Sequence, residues 1–431
     1  MKAETSTIHN GNITGMDIVS YIKAPELADA GAEQILFAQN YMPVLSVISS
    51  KLEYLIPFEG LKIAICSHIT KETAAACIAL KNGGAKVMLV SSNPISTQDD
   101  VAAALAMRYG ITVCGHSQQT PEEWIQYLEM IFRFEPDILL DDGAEILPMM
   151  YEKFPNLAER LIGSTEQTTS GVKKCMNMER AGILKHPIIA VNSSRIKHLF
   201  DNYYGVGQSS LTTISNIGNL LFATETVVVI GYGNVGRGIS QKAKGLGARV
   251  IVCEIDPLKA LNAYLEGNMV MTIQEAAKVG TVFITATGSS DVIPIDVIMN
   301  MKSGVILSNC GSGQTEIDVA SIKEKAVSSK EIRTHMVRYY FDNGKYVHVL
   351  TDGRVTNLVG GEGNPAVIMD LTFSAIVLGV EYLIKNKLER KVYTMPEEID
   401  KMIASIKMNE YELRVSKPTE KQKVYDSDWH K

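Results

Sequence analysis

The sequence predicts an α/β protein of two doubly wound parallel-sheet domains with a short C-terminal tail. Three observations carry that expectation. The chain has 431 residues, and at roughly 100–200 residues per domain it holds two or three domains. From residue 61 onward, short apolar, β-branched runs alternate with helical periodicities, the pattern of parallel strands covered by helices. Mid-chain, the run Val227-Val228-Val229-Ile230 passes directly into Gly231-Tyr232-Gly233-Asn234-Val235-Gly236, a strand feeding a G-x-G-x-x-G turn.

Taken in order, residues 1–35 are mixed and lack strong periodicity, and 34–55 read as helix with a break at Met42-Pro43. Strand 61–66, helix 71–81 and the stop Gly83-Gly84 follow, then strand 85–90, helix 99–109, strand 111–114, helix 121–134 and strand 137–140. The stretch 163–175 is rich in hydroxyls. Strand 187–191 leads into 192–202, where a helix would set Lys197 and Asp201 four apart on one face. Beyond the glycine turn come a helical pattern over 239–246 closed by Gly247, strand 249–253, strand 282–285, strand 304–309 and a β-rich stretch to Leu350. Helices resume over 365–387, and the tail from 391 is charged and expected to drape over a neighbouring subunit.

The glycine unit has the parts of a Rossmann-like dinucleotide site. Gly231 allows the tight turn, Gly233 lets backbone approach a pyrophosphate, and Gly236 lets helix pack on strand. The helix start offers free N–H groups to the phosphates. Glu254 closes the second strand, about 20 residues on, where an acid accepts from a ribose 2′-hydroxyl and would repel a 2′-phosphate. NAD is therefore the expected cofactor.

Composition narrows the class. The chain is 46% hydrophobic and 21% charged with a net charge of −6, so no nucleic-acid or membrane surface is expected. The first residues lack an apolar signal region, and no uninterrupted apolar run reaches bilayer length. Cys66, Cys77, Cys114, Cys175, Cys253 and Cys310 are scattered without a C-x-x-C pair, which fits a reducing cytoplasm and gives no reason to expect a metal site.

Polar residues gather at or beyond the strand ends, where ligands bind in such sheets. His68, Asp142, Lys197 and Asp201 are the ionisable groups among them. Each alone also fits a structural role: a satisfied histidine, an Asx turn, a solvated helical ion pair. Together beside a dinucleotide unit they suit hydride transfer with acid–base work.

These segments resemble the S-adenosyl-L-homocysteine hydrolase (adenosylhomocysteinase) family along nearly the whole chain. The resemblance rests on ICSHITKETA (65–74), STQDDVAAAL (96–105), ILLDDG (138–143), TTSGV (168–172), FDNYYG (200–205), VVVIGYGNVGRG (227–238), EIDPLKAL (254–261), TATG (285–288), TEID (315–318) and DGRVTNL (352–358). It implies a substrate domain of residues 1–195 completed by 364–390, an NAD-binding domain of 196–363, a tail of 391–431, and a cytoplasmic homotetramer acting on a small nucleoside substrate. The implied reaction oxidises a ribose 3′-hydroxyl, which acidifies the 4′-hydrogen and lets a thiolate leave C5′. Water addition and reduction complete the hydrolysis. By resemblance, Lys197 takes the 3′-hydroxyl proton with Asp201 and Asn202 positioning it, and His68 and Asp142 handle protons at the leaving group and water. Thr70, Glu72, Gln167, Ser312, Asn364, Met369 and Phe373 would contact substrate. Thr168, Thr169, Ser170, Gly231, Gly233, Asn234, Val235, Gly236, Glu254, Thr287, Asn309 and Asn357 would hold NAD.

The chain departs from the family at substrate-side positions. A Glu-Glu pair is here Glu166-Gln167, a Gly-His is Gly311-Ser312 followed by Gly313-Gln314, and a Gly-His-Pro is Gly363-Asn364-Pro365. Loss of those charges points to weak turnover of S-adenosylhomocysteine relative to nucleosides with another 5′-substituent. Two other readings fit: the same redox elimination on another nucleoside, as a lyase or dehydratase, or a non-catalytic NAD-binding regulator. Retention of His68, Asp142, Lys197 and Asp201 together argues against the regulator. Denaturing the purified protein and assaying the released dinucleotide is expected to yield NAD; recovery mainly of NADP would overturn the role given to Glu254.

Overall fold

A computed structural model describes residues 19–93, 95–312 and 315–429; Gly313 and Gln314 lie outside them. The first unit is built on β1 (Lys62–Ser67), β2 (Lys86–Ser91), β3 (Thr112–Cys114), β4 (Ile138–Asp141), β5 (Gly163–Glu166) and β6 (Ile188–Ala190). They run parallel in the order β6-β5-β4-β1-β2-β3. The chain winds outward from β1 through β2 to β3 and from β4 through β5 to β6. The carboxyl ends of β1 and β4 therefore flank a topological switch point, where open α/β sheets leave a crevice.

The second unit contains β7 (Thr226–Ile230), β8 (Arg249–Cys253), β9 (Met269–Val270), β10 (Val282–Thr285), β11 (Ile306–Asn309), β12 (Ser328–Arg333), β13 (Met336–Tyr340) and β14 (Tyr346–Leu350). Their order is β12-β13-β14-β11-β10-β7-β8-β9. Pairing is parallel except for the antiparallel β12-β13-β14 meander. Its switch point falls between β7 and β10, so the glycine turn after β7 opens onto the second crevice.

Several expectations change. The stretch 163–175 contains a strand, β5, whose Ser164, Thr165 and Glu166 are all buried; its polarity hid it. The helix after the glycine turn is Asn234–Gly245, beginning five residues before the apolar periodicity at Ile239, because Gly233 is already its N-cap and the first helical turn faces the crevice. Residues 197–205 form a π-helix, Lys197–Gly205, continued by the helix Val206–Gly218. The tail does not begin at 391. Residues Val392–Thr394 form β15, which pairs with β6 as the edge strand of the first sheet, and the helix Glu397–Glu410 buries Ile399 and Ile403.

The helix Ala366–Lys385 realises the helix expected over 365–387. Its 20 residues and mean hydropathy of 1.9 would let it cross a bilayer by length and composition. Asp370 and Glu381 interrupt the run, and the helix instead packs inside the first unit, where Leu371, Phe373, Val377 and Val380 are buried. Burial of each such side chain contributes about 1.5–3 kcal/mol. Asp370 is fully buried. Its carboxylate accepts from the N–H groups of Val44 and Leu45 at 3.2 and 2.8 Å, capping the helix Pro43–Leu55. Lys407 of the helix Glu397–Glu410 pairs with it at 3.1 Å. Removing one partner of a buried pair costs about 3–5 kcal/mol. Lys407→Met is thus expected to lower the urea midpoint of the first unit markedly, read from Trp124 fluorescence. An unchanged midpoint would show that the segment 392–410 is dispensable to the fold.

Candidate active site

The first crevice is lined from the strand ends. Ser67 closes β1 and donates to Asp142 at 3.2 Å. The His68 ring faces Asp142 with Nε2 at 3.9 Å, and its Nδ1 lies 2.5 Å from Ser96 Oγ. Burial pushes the His68 imidazole below its ordinary value, while the Asp142 charge pulls it upward. Gln167 donates to Ser67 at 3.4 Å, and its Oε1 is buried without a partner. Thr70 caps the helix Lys71–Asn82. Burial raises Glu72, against the opposing charge of Lys71.

Two carboxylates at adjacent strand ends hold these loops. Asp141 and Glu166 face each other in the register of β4 and β5. Asp141 accepts from the backbone N–H groups of Asp142, Glu145, Ile146 and Leu147. Glu166 accepts from Gly143, Ala144 and Thr168 N–H groups and from the Thr168 hydroxyl. Burial pushes Asp141 up to about 7 and Glu166 up to about 8, with neighbouring carboxylate charges adding to it and the N–H bonds opposing it. Both are positioning groups, spent on the backbone that presents Asp142 and Thr168.

The π-helix brings Lys197 to the junction of the two units. Its wider turn puts residues five apart over one another. Lys197 Nζ accordingly reaches Asn202 Oδ1 at 2.6 Å as well as Asp201 Oδ2 at 3.0 Å. Asp201 is buried and also accepts from Asn364 at 2.6 Å and Thr372 at 2.7 Å. Asn364 Oδ1 in turn accepts from Ser209 at 2.8 Å and Asn357 at 3.2 Å. On the other side, Asn202 donates to Asn192 at 3.5 Å and Asn192 to Thr169 at 3.0 Å. One polar chain thus runs from Thr169 through Lys197 and Asp201 to Asn357.

The second crevice fits NAD. Gly231 has φ +95°, and a side chain at Gly236 would collide with Gly231 O at 1.9 Å. A Cβ at Gly233 would meet nothing within 4 Å, so the turn is open where a pyrophosphate would approach. The first turn of the helix Asn234–Gly245 has no side-chain cap, leaving its N–H groups for an anion. Glu254 is braced by the Tyr232, Ile255 and Asp256 N–H groups. Asn357 Oδ1 is buried without a partner, an acceptor awaiting a donor such as a carboxamide.

The remaining expected residues divide by geometry. Thr287 and Gly288 are pinned by buried Glu316. Asn309 is fully buried and bonds Thr285, Gly311 and Gly353. Val235 packs half-buried on the core of the second unit. Ser170 donates to Ser312 at 2.9 Å across the units. Met369 and Phe373 belong to the core beneath the first crevice. Asn364, expected at the substrate, is engaged with Asp201. Ser96, Asn192, Ser209, Glu316 and Thr372 were missed. Thr372 offered a signal: a hydroxyl in the middle of an apolar helix. All six cysteines are buried free thiols, and burial raises each, so none is poised as a nucleophile.

His68 is expected to titrate below its ordinary value of 6.5. Removing the Asp142 charge takes away the opposing pull, so Asp142→Asn should lower it further. NMR titration of the ring checks both; a titration above 6.5, or a rise in the variant, would contradict this electrostatic account.

Comparison with known proteins follows the same division. Residues 20–153 match the family S-adenosyl-L-homocysteine hydrolase, and residues 202–363 match S-adenosyl-L-homocysteine hydrolase, NAD binding domain. The chain is 45% identical to an adenosylhomocysteinase of Saccharolobus solfataricus over 95% of this chain and 98% of that one. It is 43% identical to an adenosylhomocysteinase of Aquifex aeolicus over 95% and 98%. A third relative, from Methanopyrus kandleri, is 42% identical over 95% and 97% and is named S-inosyl-L-homocysteine hydrolase. Similarity of this extent, spanning both crevices and the junction between them, means that the chain belongs to the S-adenosyl-L-homocysteine hydrolase family.

Proposed function

We propose that the protein hydrolyses S-adenosyl-L-homocysteine to adenosine and homocysteine with tightly held NAD, through 3′-oxidation, 4′-deprotonation and elimination at C5′. The observation that carries this reading is Lys197, held between Asp201 and Asn202 where the two crevices meet. Lys197 is the group that takes the 3′-hydroxyl proton. It takes that proton as the neutral amine and holds it as ammonium; Asp201 and Asn202 fix its nitrogen in both forms, and the buried Asp201 is in turn fixed by Thr372 and Asn364. His68, favoured neutral by burial, can accept or return a proton beside Asp142 near the leaving group and water. Thr70, Glu72 and Gln167 face the nucleoside, and Gln167 Oε1 supplies an open acceptor. Gly231, Gly233, Gly236, Glu254 and Asn357 hold NAD, with Thr168, Thr169 and Ser170 approaching from the first unit. Bound NAD supplies reversible hydride acceptance from the ribose.

A homotetramer in the cytoplasm completes the proposal. Exposed Ile255, Leu258, Leu261, Tyr264 and Leu265 form an apolar face beside the glycine turn, the kind of surface that marks association. The Methanopyrus relative's name favours one second reading, a hypoxanthine in place of adenine. A carboxylate and a hydroxyl such as Glu72 and Thr70 can answer either purine edge. Comparing initial rates on S-adenosyl- and S-inosyl-homocysteine decides between them.

Removing a positioned base costs about 10²–10⁴-fold. Lys197→Met and Asp201→Asn are each expected to slow reduction of bound NAD by adenosine at least about 100-fold, followed by absorbance in a single turnover. Undiminished reduction in Lys197→Met would reassign the base.

A further inference from the structure

The loop between Asn357 and the helix Ala366–Lys385 carries Gly360, Gly361 and Gly363, and between them two side chains that reach outside it. Asn364 donates to Asp201 at 2.6 Å. Glu362 accepts from Lys71 at 2.6 Å. Asn364 also accepts from Ser209 and Asn357, and Gly363 N–H bonds Asn357 O at 2.8 Å, whereas the Glu362 side chain has Lys71 as its partner across the units. Lys71 lies on the first unit, immediately after Thr70 at the start of the helix Lys71–Asn82. A cation there opposes the helix dipole. Its side chain is only 9% exposed, against 83% for Glu362, and Glu72 is its other carboxylate at 3.7 Å. A buried ammonium in an unfavourable helical position, aimed at a glycine-rich loop of the other unit, needs a reason beyond stability.

We propose that Lys71 is a positioning residue for the reaction: its ion pair with Glu362 draws the 360–365 loop onto the first unit and so holds Asn364 against Asp201. The proposal rests on Asp201 belonging to the reactive centre. Lys71 touches neither the polar chain through Lys197 nor the glycine turn, and acts only through the loop. Because Glu362 is exposed, the tie is modest, at the upper end of the few-fold range seen for surface pairs.

A double-mutant cycle in the full-length NAD-loaded enzyme tests it. Glu362→Gln should lower kcat for S-adenosylhomocysteine about threefold to fivefold, with KM little changed, and raise amide hydrogen exchange at residues 360–363 by a similar factor. In a Lys71→Met background the same substitution should cost almost nothing, since the pair is already broken. Lys71→Arg, which keeps the charge, should behave as the unsubstituted enzyme and controls for folding defects in Lys71→Met. Equal costs in both backgrounds, or exchange unaltered by Glu362→Gln, would overturn the proposal. Coupled exchange with unchanged kcat would overturn the positioning role and leave a structural tie. Exchange requires no turnover, so failure of the unsubstituted enzyme to cleave S-adenosylhomocysteine would instead strike the reaction assignment.

Discussion

The buried carboxylate of Asp201 is the point on which the rest of the site depends. An anion removed from water is tolerable only when its lone pairs are answered. Lys197 answers from the π-turn, Thr372 from the central helix of the first unit, and Asn364 from the loop returning out of the second. Two stretches distant in sequence, 197–201 and 364–372, must therefore converge on one group. They are also the segments through which the chain leaves the first unit and comes back to it. The requirement that stabilises a buried charge is thus the one that sets two crevices face to face.

The first crevice repeats this economy at Asp141 and Glu166. Each spends its oxygens on backbone N–H groups of the loops beyond β4 and β5. The neighbouring Asp142 and Gln167 are left with polar atoms available to a ligand. Doublets at strand ends, Asp141-Asp142 and Glu166-Gln167, thereby split into one residue that builds and one whose side chain faces the crevice. The second unit also spends carboxylates on backbone, Glu316 pinning Thr287 and Gly288 and Glu254 accepting from Tyr232, Ile255 and Asp256.

Much of this was legible in the sequence because its signals are local. Apolar runs, glycine stops and the turn at Gly231 marked both sheets. What stayed hidden depends on tertiary context. β5 carries Ser164, Thr165 and Glu166, polar residues buried because the sheet is covered on both faces, and no periodicity announces such a strand. The π-turn differs from an α-turn by one residue of offset, so the Lys197–Asn202 contact could not be read from a four-residue spacing. β15 and the helix Glu397–Glu410 looked like a tail because their charges, Lys407 above all, conceal a buried partner. Asn364 and Ser312 read as lost histidines; the fold gives each a new partner, Asp201 and Ser170, which weakens the inference from substitution to feeble catalysis.

The order of chemical events is open to one direct measurement. If oxidation at the 3′-carbon precedes cleavage at C5′, the 4′-hydrogen becomes acidic during turnover and exchanges with solvent. Incubating the NAD-loaded enzyme with adenosine in D₂O and following the nucleoside by proton NMR should show loss of the 4′ resonance while the other ribose signals persist. Retention of the 4′-hydrogen by an enzyme that still cleaves S-adenosylhomocysteine would contradict a centre built around Lys197 and Asp201 for oxidation before elimination.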